Sequence, residues 1–128
     1  MAANSTSTFT ELGSKYVLDR DCKGNSSSNN VTGGAGVIYI VEIDNEANSS
    51  TVYVKIRDAA SASPSTNTAN GNGTPHYSFI APPFSKMCYT ITAGAEFATA
   101  LSMWCTTSKI VGSTSSAPNP VIVKLITT

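Results

Sequence analysis

His76 is the only imidazole in the chain, and general-base, nucleophile-activating and most zinc chemistry would have to pass through it. It stands beside Pro75, with no serine or cysteine around it in a nucleophile motif, so it reads as a histidine at a strand entrance. Asp19 and Asp21 form a D-x-D pair, and Asp44 lies two residues from Glu46. Calcium takes about six to eight clustered oxygens, and neither pair has that ligand number or spacing. Both read as turn carboxylates. Gly33-Gly34-Ala35-Gly36 has the composition of a phosphate loop, but such a loop must open a helix, and this one runs into a β-branched stretch. With no nucleophile and base, no metal cluster and no paired carboxylates, the expectation is a protein that is not an enzyme, with no cofactor and no metal.

Cys22, Cys88 and Cys105 match no zinc or redox spacing. If the strands on either side of Gly94 form a hairpin, Cys88 lies opposite a residue near Ser102. Cys105 is then about three residues, or ~10 Å, out of register. That excludes a disulfide between them, and the cysteines read as reduced packing residues.

The elements that would carry any site are strands. Val52, Val54 and Ile56 alternate with Tyr53, Lys55 and Arg57, a period of two that no helix face shows. The alternation returns in Met87 to Thr92 and, after a turn over Ala93-Gly94-Ala95-Glu96, in Phe97 to Thr106. Val37 to Ile43 lacks polar alternation until Glu42, which predicts a central strand covered on both faces, or one whose outer face meets another subunit. Thr51 to Asp58 is expected to return antiparallel to it. Tyr16-Val17-Leu18 reads as a short edge strand, Val31-Thr32 as a weak one, His76 to Ile80 as one ended by Pro82-Pro83, and Val121 to Ile126 as the closing strand.

These elements predict an antiparallel β-sandwich, jelly-roll or immunoglobulin-like, of about seven to eight short strands. A chain of 128 residues has room for one domain, expected over residues 9–128 behind a flexible polar arm at 1–8. Loops are expected over 59–75 and 108–120. Charged residues make up 12%, and eight basic residues balance eight acidic ones, so no cationic field exists to attract nucleic acid or anionic membrane. The sequence Met1 to Thr8 lacks the basic and apolar parts of a signal peptide, which leads to the expectation of synthesis in a cytoplasm. The sequons at Asn25, Asn30, Asn48 and Asn72 then reflect composition.

Strand parity sends Phe97, Leu101 and Met103 inward and Trp104 to the opposite face. Tyr53, Ile122 and Ile126 leave the core in the same way, and Ile38 and Ile40 share this ambiguity. Large apolar groups facing outward form the kind of patch that anchors an interface. Trp104, Tyr53, Ile38, Ile40, Ile122 and Ile126 are therefore the candidate interface residues, unless loops of the same chain cover them.

The run Val52-Tyr53-Val54-Lys55-Ile56-Arg57-Asp58-Ala59-Ala60-Ser61, then Gly73-Thr74-Pro75, Pro82-Pro83 and Gly94-Ala95-Glu96-Phe97-Ala98-Thr99-Ala100-Leu101-Ser102, resembles small β-sandwich proteins of tailed bacteriophages. In those chains a "YVKLYDKA" strand precedes a "GTxxP" turn, and a "GxxFxTGLS" strand follows a proline-containing loop. The resemblance spans roughly Gly36 to Thr106 and the closing strand, and departs at Ala100, where the family has glycine, and in the longer 59–75 loop. It implies a virion structural protein made in the host cytoplasm, of the capsid cement or decoration type. Its expected partners are itself, as a homo-oligomer, and the major capsid protein lattice. It implies no catalytic or ligand-binding residues. The alternative from a different class is a host-recognition or carbohydrate-binding module of a tail or head fibre, with Trp104 and Tyr53 or Tyr89 stacking on a glycan. A head-completion or tail component is the third reading.

Overall fold

A computed structural model describes residue 13 and residues 15–63 and 73–128. The expected arm at 1–8 and the centre of the 59–75 loop lie outside these residues. The described chain is all-β: β1 (Lys15–Asp19), β2 (Gly36–Asp44), β3 (Val52–Asp58), β4 (Tyr77–Ala81), β5 (Lys86–Phe97), β6 (Leu101–Thr106) and β7 (Ile122–Thr127). They form two antiparallel sheets, β1-β7-β2-β5 and β4-β3-β6, packed as a β-sandwich.

That strand order is a jelly roll with one strand replaced by looser chain. Beside β6, where an eighth strand would lie, segment 23–31 bonds to its edge. The Met103 and Ser28 backbones exchange hydrogen bonds of 2.9 and 2.8 Å, the Val31 N–H donates to the Leu101 carbonyl, and the Cys105 N–H donates to the Lys23 carbonyl. The weak strand expected at Val31-Thr32 is therefore a set of bridging contacts. Its Ser, Asn and Gly content supplies turns, with Asn30 and Gly33 both at positive φ.

The core follows the alternation. Val52, Val54 and Ile56 of β3 meet Val41 and Ile43 of β2 and Val123 and Leu125 of β7 in one cluster with Phe97, Leu101 and Met103. By area burial, each such side chain contributes on the order of 1.5–3 kcal/mol.

Three expectations change. The strand β5 runs unbroken through the expected turn at Ala93 to Glu96, and the chain reverses instead over 98–100. Gly94, at φ 76°, serves a bulge, because a Cβ there would come within 2.1 Å of Val37 Cγ1. No hairpin joins β5 to β6: the connection crosses from one sheet to the other. The same holds from β2 to β3, which lie in different sheets instead of pairing. Finally, the strand covered on both faces is β6, all six residues of which are buried. The central strand β2 keeps Ile40 half-buried and Glu42 exposed on its outer side.

Candidate functional site

Strand register assigns the candidate interface residues to faces. Tyr16 pairs with Ile126, Ile126 with Ile40 and Ile40 with Thr90, so one row crosses the whole outer face of the four-stranded sheet. Tyr16 is 61% exposed, and Ile40, Ile122 and Ile126 are half-buried. The next row holds Leu18, Lys124, Glu42 and Cys88, with Lys124 directly opposite Glu42. At the far end Lys86 reaches Asp44 at 3.9 Å and Glu46 at 3.7 Å. A shallow groove among Glu42, Asp44, Lys86, Ile122 and Lys124 adjoins the apolar row. Apolar centre and paired-charge rim are the ordinary anatomy of a protein contact.

Ile38 does not belong to this face. It is fully buried, pairing with Thr127 and Ala95 on the core side. A β-bulge between Ile38 and Ile40 inserts one residue and reverses the parity. Sequence pattern groups the two isoleucines together because a bulge leaves no periodic signal.

The outer face of the three-stranded sheet is largely closed by the chain itself. Trp104 lies on the side opposite Met103, as its parity requires, but is only 1% exposed. The segment after β6 folds back here: Thr106 Oγ1 donates to the Ser108 carbonyl at 2.6 Å, and Lys55 Nζ donates to the Ile110 carbonyl at 2.8 Å. At the other end Ser102 Oγ donates to the Ala59 carbonyl and accepts from the Asn30 N–H. Trp104 is thus an internal packing residue, unable to stack on a ligand without displacing that cover. Tyr53, paired with Ile80, keeps a half-buried place on this face. Tyr89 points inward, its ring 5.3 Å from Phe79 and its hydroxyl donating to the Ile80 carbonyl.

Lys55 is a buried cation that the alternation marked as outward-facing. Burial pushes its pKa below the ordinary lysine value.

The residues with chemical potential have structural partners. His76 accepts the Asp58 N–H at Nδ1, 2.8 Å away. The Asp58 carboxylate accepts the Ala98 and Thr99 N–H groups at 2.7 and 2.8 Å. Burial pushes the Asp58 carboxyl up, and the N–H groups of Ala98, Thr99 and Ala100 outweigh it, holding the pKa below the usual value. Asp19 accepts from the Asp21 N–H and the Ser28 hydroxyl, and Asp44 from the Glu46 N–H. Among the described residues no group of three or more His, Cys, Asp or Glu side chains is placed to hold a metal ion.

Two buried asparagines carry more structure than their turn composition suggested. Asn45 Nδ2 donates to the carbonyls of Ser50, Ala81 and Pro82, and Asn48 Nδ2 donates to Asn45 Oδ1 and the Asn119 carbonyl. The Asn119 N–H returns a bond to Asn48 Oδ1. Three loops are fastened at one end of the sandwich. No known protein family, curated protein or solved structure matches the chain.

Proposed function

We propose that this chain is a non-enzymatic structural protein of a tailed-bacteriophage virion, a capsid cement or decoration protein that binds the outer capsid surface and stabilises contacts between subunits. The observation that carries this reading is the open outer face of β1-β7-β2-β5, with the row Tyr16, Ile126 and Ile40 beside paired charges. The motif resemblance supplies the virion context. By fold-level analogy, jelly rolls recur in viral capsid domains.

Size supports a lattice-bound role. Four strands of five, six, nine and twelve residues, about eight on average, span roughly 19 by 26 Å, a face of about 500 Å². A standard interface takes about 800 Å² per partner. One such contact is weak, whereas an oligomer engaging several subunits binds by effective concentration. Stabilisation follows because the protein binds the assembled lattice and not the free subunit.

The partners in this reading are further copies of the chain and the major capsid protein, with no direct role for nucleic acid or membrane. A head-completion or tail position would use the same face. The glycan alternative loses two of its proposed aromatics, since Trp104 and Tyr89 are committed to packing. Light scattering of the purified chain, followed by sedimentation with empty capsids of the encoding phage, tests the proposal. A stable oligomer that co-sediments at fixed copy number is the expected result. A monomer that ignores capsids overturns it, and glycan-array binding in its place moves the function to host recognition.

A further inference from the structure

Two of the three cysteines meet in the core. Cys22, just after β1, is 5% exposed, and Cys105, on β6, is 1% exposed; both belong to the main apolar cluster. The Cys22 N–H donates to the Val121 carbonyl and the Cys105 N–H to the Lys23 carbonyl, each at 2.9 Å, so the Cys22-Lys23 backbone lies alongside β6. Gly24 permits that approach, since a Cβ there would stand 2.9 Å from the carbonyl oxygens of Cys105 and Ser115. Cys105 sits opposite the core residue Val54 on β3, and Cys22 enters the same apolar cluster from the adjoining segment, so the two side chains share one part of the core. Cys88 is exposed on β5, with β2 and β7 between it and β1.

We propose that Cys22 and Cys105 are a latent disulfide, closed by hydrogen peroxide or a comparably small peroxide once the chain leaves a reducing compartment, which locks the end of β1 in one sheet to β6 in the other. One sulfur attacks the peroxide O–O bond and takes one oxygen as sulfenic acid, releasing water. The second sulfur displaces the sulfenic oxygen, forming the S–S bond and releasing a second water. Two thiols lose two electrons and two protons, and one peroxide is reduced to two waters.

Burial sets the timing. The neighbouring Cys105 thiol, followed by burial, holds the Cys22 pKa well above the ordinary thiol value, so its reactive thiolate is scarce. Once the chain is folded, the pair therefore closes slowly and only under sustained oxidant. Bulky disulfides are kept out by the same packing. The closed loop runs from 22 to 105, most of the chain, and long loops gain most from cross-linking.

The test uses the full chain carrying Cys88→Ser, which removes the exposed thiol. The folded protein is held in excess hydrogen peroxide, quenched with catalase, alkylated under denaturing conditions and mapped by mass spectrometry. Expected is a loss of two hydrogens, a single peptide pair linked through Cys22 and Cys105, and a melting temperature higher by on the order of 10 °C. Reductant reverses both changes. Oxygen addition at either cysteine without cross-linking overturns the proposal, as does a linked form that melts no higher than the reduced one. Because oxidised and reduced forms of one chain are compared, neither result depends on substituting Cys22 or Cys105. The outcome is independent of whether the outer sheet face binds a capsid.

Discussion

Ile38 and Ile40 stand two residues apart on β2 and face opposite sides of the sheet. Ile38 pairs with Thr127 towards the core, and Ile40 pairs with Ile126 towards solvent. The residue between them, Tyr39, is the additional one of the bulge. Truncation should separate the two sites: Ile38→Ala costs about 2–4 kcal/mol through an internal cavity, and Ile40→Ala less than about 1 kcal/mol. Urea denaturation of the two variants measures this, and equal losses would contradict the assigned register.

Lys55 tests whether the cover over Trp104 is a dry, packed layer. Its folded pKa lies below the unfolded one, so the charged form is penalised in the folded state at neutral pH. That penalty is relieved as pH rises through the folded pKa towards about 10.4. Lys55→Met keeps the stem volume and removes the charge, while the Ile110 carbonyl, on a residue 67% exposed, can turn to water. Thermal melting at pH 7 should show the variant equal to or above wild type. A loss greater than about 2 kcal/mol would mean that the ammonium holds the covering segment in place.

Asn45→Ala should cost at least about 2 kcal/mol, since it strips the donor from three carbonyls and the acceptor from Asn48. Chemical denaturation gives the magnitude. A near-neutral effect would show that water replaces the amide at this end of the sandwich.

Asp58 predicts an acid sensitivity. Its folded pKa is depressed, so its stabilising contribution is complete above about pH 4 and fades as pH falls through the folded value. Melting curves between pH 7 and pH 3 should fall more steeply for wild type than for Asp58→Asn, which keeps an acceptor but has no charge to lose. Parallel curves would remove Asp58 from the acid response.

Much of this was legible in the sequence wherever alternation is unbroken. Val52, Val54, Ile56, Val123 and Leu125 enter the core as their parity required, with Tyr53, Ile122 and Ile126 on the outer sides. The misreadings have local causes. Gly94 carries a turn signature but serves a bulge against Val37 and Tyr39, so the reversal moved to 98–100, where Asp58 binds the turn. Trp104 faces outward in the pattern and is buried in fact, because its cover comes from the segment after β6, which has no periodicity. Cys22 meets Cys105 through contacts distant in sequence, and spacing alone pointed only to Cys88 against Cys105.

The most direct test of the central proposal is the copy number of this protein per capsid, measured by quantitative co-sedimentation for wild type and for Ile40→Asp. The substitution puts a charge in the middle of the outer apolar row and leaves the core side of β2 intact. Wild type should saturate at a fixed number of copies, with Ile40→Asp folded but bound at least about tenfold more weakly. A wild-type chain that does not bind, or a folded Ile40→Asp chain that binds equally well, would contradict the role assigned to this face.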